Sequence, residues 1–355
     1  MKYDVAVIGA GPAGATCAAL CAQAGRATIL LERSVFPREK VCGDCLNPAC
    51  WPILDRLGVS ERLLELPHAR LGAVEFIGLG GRALSYPLPA SGRGEIAIKR
   101  SVFDQLMLNR ARECGSEIRE GSSVTGIEPG WTIHTERECV RVTTLVAADG
   151  RNSTVARLLG LLPAARKERV AVQTHFESSE FGERVALRFL PQGYCGLAAV
   201  GADQVNICLV GVGPDVSDLR DWARSHFALS ADAEWRTVAP LARAPIAPVH
   251  EHLLFVGDAA RVIEPFTGEG IYYALASGEL AARQLIRDDL SGFANAHARL
   301  YRGRLWINQL AKQAALHPRL GSLAIDLARW WPASLRFLTA KVVTEPSVPR
   351  ALAQR

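Results

Sequence analysis

The sequence predicts an α/β fold in which a helix-covered parallel sheet is interleaved with a mainly antiparallel sheet, followed by C-terminal helices. Three observations carry this reading: a glycine-rich strand–turn–helix at the start, two later apolar strands that each run into an acid, and four strand-like segments between them. With 355 residues, 49% of them hydrophobic, the chain can bury a large core. Its 41 basic and 36 acidic residues are interspersed without a basic block, which argues against nucleic acid as a partner.

The first element is chemical as well as structural. Asp4 to Ile8 reads as a strand entering Gly9-Ala10-Gly11-Pro12-Ala13-Gly14, and Ala15 to Ala24 as a helix of small residues. Gly9 permits the tight turn, Gly11 lets the backbone approach a pyrophosphate, and Gly14 lets the helix pack on the sheet. The free N–H groups and dipole at the helix start favour the anionic phosphates. A second strand, Ala27 to Leu31, ends in Glu32-Arg33, and Glu32 lies 23 residues beyond Gly9, where a carboxylate can accept from ribose hydroxyls. An acid there opposes a 2′-phosphate. This is a Rossmann-type unit, and its motif does not separate NAD from FAD.

The glycines and proline of this start, with Asp4 at its head, fit a strand and turn better than a secretory leader. No uninterrupted apolar run is long enough to span a bilayer. Nine cysteines, an odd number scattered along a chain of this size, suggest a reducing cytoplasm.

Val142 to Ala148 reads as a buried strand followed by Asp149-Gly150-Arg151-Asn152-Ser153 and a helix start. Leu253 to Val256 is another strand, running into Gly257-Asp258-Ala259-Ala260. With GAGPAGA, these segments resemble the three fingerprints of FAD-dependent enzymes of the p-hydroxybenzoate hydroxylase superfamily, over roughly residues 1–300. The resemblance implies FAD as cofactor and NAD(P)H as a transient electron donor. By it, Asp258 would bond the ribityl chain, while Asp149 and Gly150 would lie near the flavin. Arg100 would stand near FAD; the alternative is a solvated charge at a helix start. In Pro265-Phe266-Thr267-Gly268-Glu269-Gly270-Ile271 the loop feeds a helix that, in this family, points at the flavin pyrimidine edge. Phe36-Pro37-Arg38-Glu39-Lys40-Val41-Cys42-Gly43 and the GEGI segment are similar to the geranylgeranyl reductase-like branch, and add Cys42 and Gly43 to the candidate cofactor contacts. The implied organisation is a discontinuous FAD-binding domain (1–67, 95–165 and 246–300), a substrate-binding β-sheet domain (68–94 and 166–245) and a helical segment (301–355).

Between the last two motifs, Arg169 to Phe176, Val185 to Leu190, Gly193 to Val200 and Gln204 to Val210 read as strands, with Gly201-Ala202-Asp203 as a hairpin turn. This looks like the family's sheet over the substrate pocket. His175, Tyr194, Cys195, Asn206 and Phe266 are pocket candidates, although such groups are more often structural. The tyrosine-x-tryptophan-x-phenylalanine-proline stretch usual in the reductase-like branch is replaced by Tyr194-Cys195-Gly196-Leu197, and a halogenase tryptophan box is absent. The expectation therefore leans to an NAD(P)H-dependent monooxygenase that hydroxylates an aromatic, polyketide or lipid-like molecule on activated oxygen. Ene-reduction of a prenyl or lipid double bond stands close behind.

Cys45-Leu46-Asn47-Pro48-Ala49-Cys50 has the spacing of the redox pair in pyridine-nucleotide disulfide reductases. The chain carries no second nucleotide loop, which disfavours that reading; a complete FAD site likewise disfavours a flavoprotein without turnover. No second CxxC or histidine pair supplies the rest of a zinc site. Beyond Leu300 the pattern is helical and basic, with Trp306, Trp330, Trp331 and Phe337. Such a segment can lie on a membrane surface, pack over the pocket, or be plain core. The expected partners are a small apolar or aromatic substrate and, as an alternative electron source, a separate flavin or electron-transfer reductase.

Overall fold

In the computed structural model, residues 2–88, 92–165 and 169–330 are described. Five strands form a parallel sheet in the order Leu253–Phe255, Cys139–Ala147, Lys2–Ile8, Thr28–Leu31 and Glu117–Arg119. Such a sheet buries both faces, which is why its strands read as continuous apolar runs. Val5, Val7, Leu30, Val146 and Leu254 point to one face, beneath the helices Pro12–Gln23, Arg100–Glu113 and Gly270–Ile286. Their neighbours Ala6, Ile8, Ile29, Leu31 and Leu145 point to the other, against the antiparallel pair Val124–Glu128 and Thr132–Thr135 and the short helix Thr154–Leu158.

The second sheet runs Arg236–Val238, Arg169–Glu177, Gln204–Val212, Gly193–Ala199, Arg184–Leu190, Ala73–Ile77, Ala83–Pro87. All its pairings are antiparallel except that of Arg184–Leu190 with Ala73–Ile77. Alternation along these strands decides what each face does. Val172, Cys195, Ile207 and Leu209 pack with Leu219 and Ala223 of the helix Val216–Phe227, while their sequence neighbours face the cavity described below. A three-stranded sheet, Cys45–Leu46, Glu95–Ala97 and Ala69–Leu71, joins the two larger ones.

The C-terminal segment forms the helices Leu305–Leu316 and Pro318–Trp330, which line the same cavity through Ile307, Ala314, Gly321 and Ile325. Up to Trp330 it therefore packs over the cavity instead of standing apart. Trp331 and Phe337 lie outside the described residues. Among the described residues, no helix is long and apolar enough to cross a membrane.

Candidate active site

The glycine-rich turn is fixed by contacts that exclude side chains. A Cβ on Gly9, whose φ is +100°, would lie 2.6 Å from the Ala148 carbonyl oxygen, and one on Gly14 would lie 1.9 Å from the Gly9 oxygen. A Cβ added at Gly11 would meet, among the described residues, an Arg38 nitrogen at 3.8 Å and nothing nearer, so the backbone is open to a ligand there. The helix Pro12–Gln23 begins with no capping side chain and no acid in its first turn. Its N–H groups and dipole are thus available to an anion. Beside them Arg38 and Arg100 converge on one carboxylate: Arg100 makes two bonds to Asp104, at 2.8 and 2.7 Å, and Arg38 approaches it at 3.1 Å. Arg38, whose guanidinium lies nearest Gly11, and Arg100 are thus held in place by one acid. Arg100 is buried and lines the cavity, so it is not a solvated helix-start charge.

Glu32 is buried and already accepts from the Ala10 and Ser34 N–H groups at 2.8 and 2.9 Å. Each oxygen keeps a second acceptor position for a hydroxyl. Arg33, the neighbouring candidate for a cofactor contact, is exposed.

A cavity of about 670 Å³ runs from this loop to the second sheet. Gly11, Pro12, Ala13, Cys42, Gly43, Gly150, Gly257 and Asp258 are among the groups on its wall. Asp258 pairs with Arg151 at 3.2 Å, and Arg151 also donates to the Leu241 carbonyl. Lys40, half-buried near Arg100, Asp258 and Arg151, is pushed down to about 8, first by desolvation and then by the Arg100 charge. Asp149 departs from expectation. Its carboxylate accepts from the Val155 N–H at 3.1 Å, capping the helix Thr154–Leu158 together with Ser153, and it does not line the cavity. Burial raises its pKa. The positions exposed to a ligand are instead its neighbours Gly150 and Arg151.

The loop before the long helix Gly270–Ile286 is held from both sides. Glu264 makes a buried two-point pair with Arg169, at 3.0 and 2.7 Å, and its N–H donates to Asn308. Pro265, Phe266, Gly268, Gly270 and Ile271 face the cavity. Glu269 does not: it is buried, bonded by Arg304 at 2.7 Å and by Asn308 at 3.2 Å. Its role is to anchor the loop to the C-terminal segment. The long helix, like the first one, starts with no acid in its first turn and no side-chain cap.

On the second sheet the expected candidates separate by alternation. Tyr194 and Asn206 face the cavity, whereas Cys195 points to the opposite face and packs with Ile207 and Leu209, so it is no pocket residue. The Tyr194 hydroxyl is buried without a hydrogen-bond partner among the described residues. Its ring meets Phe266 edge-on at 5.2 Å, and Phe266 stacks on Phe189 and Phe76 at 5.6 and 6.4 Å. His175 and Asn206 are tied up by the segment after Lys40. His175 reaches Asp44 at 2.9 Å, and Asn206 donates to Asp44 and to the Cys42 carbonyl at 2.9 and 2.8 Å. Asp44, fully enclosed with φ of +61°, is raised to about 6 by burial against the lowering effect of His175. These bonds clamp the Cys42–Cys45 segment under the sheet.

All nine cysteines are free. Burial pushes the Cys45 and Cys50 thiols up, away from the thiolate that disulfide exchange requires. Among the described residues, no cluster of three metal-ligating side chains occurs.

Arg38, Lys40 and Arg151 were legible only as members of longer motifs. Glu95, which also lines the cavity, carried no signal at all because its strand is short and its neighbours are ordinary in type.

The open Gly11, the uncapped helix start and the Arg38–Arg100 pair fit an adenine dinucleotide, and the long apolar wall fits a second ligand beside it. Comparison with known proteins agrees. Residues 2–192, more than half of the chain, match the FAD binding domain family. The Dictyostelium discoideum protein "Conditioned medium factor receptor 1" is 33% identical across 80% of the chain, which spans 63% of that protein's length. The menaquinone reductase of Mycobacterium tuberculosis is 28% identical, with 87% of this chain and 79% of that one covered. The solved structure of the flavin-dependent brominase Bmp2 superposes with a TM-score of 0.79 at 21% identity, covering 97% and 95% of the two chains, and this likeness shows the fold. The chain therefore belongs to the FAD-binding-domain family of flavin-dependent oxidoreductases.

Proposed function

We propose that the protein reduces a carbon–carbon double bond of a prenyl or lipid-like substrate. The observation that carries this reading is the cavity, whose wall passes from the dinucleotide loop to apolar side chains and reaches the exposed leucines Leu310 and Leu320. The kinship with a menaquinone reductase supports it, since menaquinone carries a prenyl chain. This reverses the order the sequence suggested: the aromatic stretch is missing from the sequence, yet Phe76, Phe189, Phe266 and Tyr194 cluster on the cavity wall, which supports an apolar substrate.

When bound, FAD supplies hydride chemistry. The chain supplies position. The first helix start, Arg38 and Arg100 would hold the pyrophosphate; Gly257 and Asp258, the latter steadied by Arg151, would face the ribityl chain. The start of the Gly270–Ile286 helix would favour negative charge on the reduced ring by about 0.3–1 kcal/mol. The aromatic group excludes water and orients the substrate, with electrons drawn from NAD(P)H or from a separate reductase. We further propose that Leu320, Leu323, Leu327 and Trp330, 55–91% exposed along one helix face, rest on a lipid surface and bring the cavity mouth to it.

The test is anaerobic. Photoreduced holoprotein is mixed with menaquinone in detergent or with geranylgeraniol, and flavin reoxidation is followed alongside product mass. Reoxidation with a gain of two hydrogens that fragment masses place on the prenyl chain, after any quinol has been re-oxidised in air, supports the reading. Hydroxylation of a phenolic ligand in air, without anaerobic reoxidation by either lipid, would return the assignment to a monooxygenase.

A further inference from the structure

Where the three-stranded sheet meets the second sheet, the cavity is lined by Cys45, Val74, Leu88, Glu95, Val185 and Ala198. Glu95 stands alone there. It begins the strand Glu95–Ala97, paired opposite Leu71, and shares its face with Ala97, which packs among Leu71, Val74, Leu88 and Ala198. The intervening Ile96 points the other way, into the core of the FAD-binding domain. Every other acid that the site uses has a partner: Glu32, Asp44, Asp149, Asp258, Glu264 and Glu269 are each bonded. Among the described residues, nothing bonds the Glu95 carboxyl. Glu95 is half-buried on the cavity wall. An apolar ligand filling the cavity would strip water from its carboxyl, a cost that a polar atom carried by the ligand offsets.

We propose that Glu95 is a specificity-determining residue, donating a hydrogen bond to a neutral carbonyl oxygen on an otherwise apolar substrate. The inference rests on the reading that this cavity takes such a substrate. The acid is suited to donating. Burial raises it to about 7, with no other cause, so near neutrality much of it is protonated. The titratable groups facing it are the Cys45 and Cys50 thiols, both pushed up by burial and hence uncharged in this range. No cation is among the causes that set its titration. An amine ligand would instead require the carboxylate, which gives the two ligand classes opposite pH dependences.

The experiment is calorimetric titration of the holoprotein with farnesylacetone, farnesylamine and farnesene, at about pH 6 and about pH 9. A ketone oxygen only accepts, so it loses its bond when the carboxyl ionises. For wild type, farnesylacetone should bind more tightly than farnesene and should weaken about three- to tenfold from the lower to the higher pH, as one hydrogen bond is lost. Glu95→Gln, whose amide still donates, should keep farnesylacetone binding and abolish its pH step. Glu95→Leu should remove both the advantage of farnesylacetone over farnesene and its pH step, without changing flavin content. Farnesylacetone binding that ignores both pH and Glu95→Leu would overturn the inference while leaving the apolar-substrate reading intact, as would preference for farnesylamine at high pH. Failure of all three probes to bind would remove that reading and the inference together. The carboxyl stretch in infrared difference spectra, absent in Glu95→Gln, gives a readout separate from binding: a shift on adding farnesylacetone is expected, and no shift counts against the contact.

Discussion

Lys40 shows how a single side chain senses the site around it. An unfolded lysine titrates at about 10.4, whereas Lys40 in the fold is pushed down to about 8, chiefly by burial. Between those values the unfolded chain binds more protons than the native one, so the stability of the flavin-free protein should rise as pH goes from about 8 to about 10. Below that window the cost of the buried charge is fully present. Lys40→Met should be more stable than wild type at neutral pH and should lack the rise, which urea titrations at several pH values would show. Asp258, paired with Arg151 on the cavity wall, gives a simpler expectation. Asp258→Ala should purify with much less flavin, and full occupancy would remove its assigned role.

At the scale of elements, the site depends on how closely two helices approach. A Cβ on Gly278 would lie 2.2 Å from the Ala13 carbonyl oxygen, so the long helix can seat against the glycine-rich one only where that Cβ is missing. Gly278→Ala should destabilise the protein by about 1–3 kcal/mol through overpacking, and should release flavin because Ala13 belongs to the pyrophosphate loop. Gly270, where an added Cβ would meet nothing within 4 Å, should accept alanine without loss of melting temperature. The Glu269–Arg304 pair joins the same loop to the C-terminal helices, and both partners are buried. Arg304→Met leaves Glu269 charged and enclosed, with a cost of about 3–5 kcal/mol. Thermal melts should show that loss largely restored when Glu269→Gln is added.

For the whole molecule, the two sheets and the C-terminal helices enclose one cavity whose mouth lies beside an exposed leucine stripe. If that stripe meets lipid, the holoprotein should float with vesicles of anionic phospholipid, and Leu323→Glu with Leu327→Glu should leave it in the soluble fraction. Flavin content and reaction with a detergent-dispersed substrate should be unaffected, because Leu323 and Leu327 do not line the cavity. Retention of flotation by the double variant would place the lipid contact elsewhere.

Local order along the chain was enough for the α/β class, the dinucleotide loop and the strand-rich middle. Glycine spacing, strand alternation and an acid after a strand are written in consecutive residues and act over one or two elements. The direction of each acid was not legible, since Asp149 and Glu269 sit beside motif glycines yet turn to a helix start and to Arg304. Nor was the exclusion of Cys195, which follows from the register that points Tyr194 inward. Arg38 and Arg100 meet across 62 residues at Asp104, and Glu95 gains its meaning only where two sheets enclose it. Such pairings are long-range: the free energy of a buried charge depends on which distant group folding brings to it, and no local pattern encodes that choice.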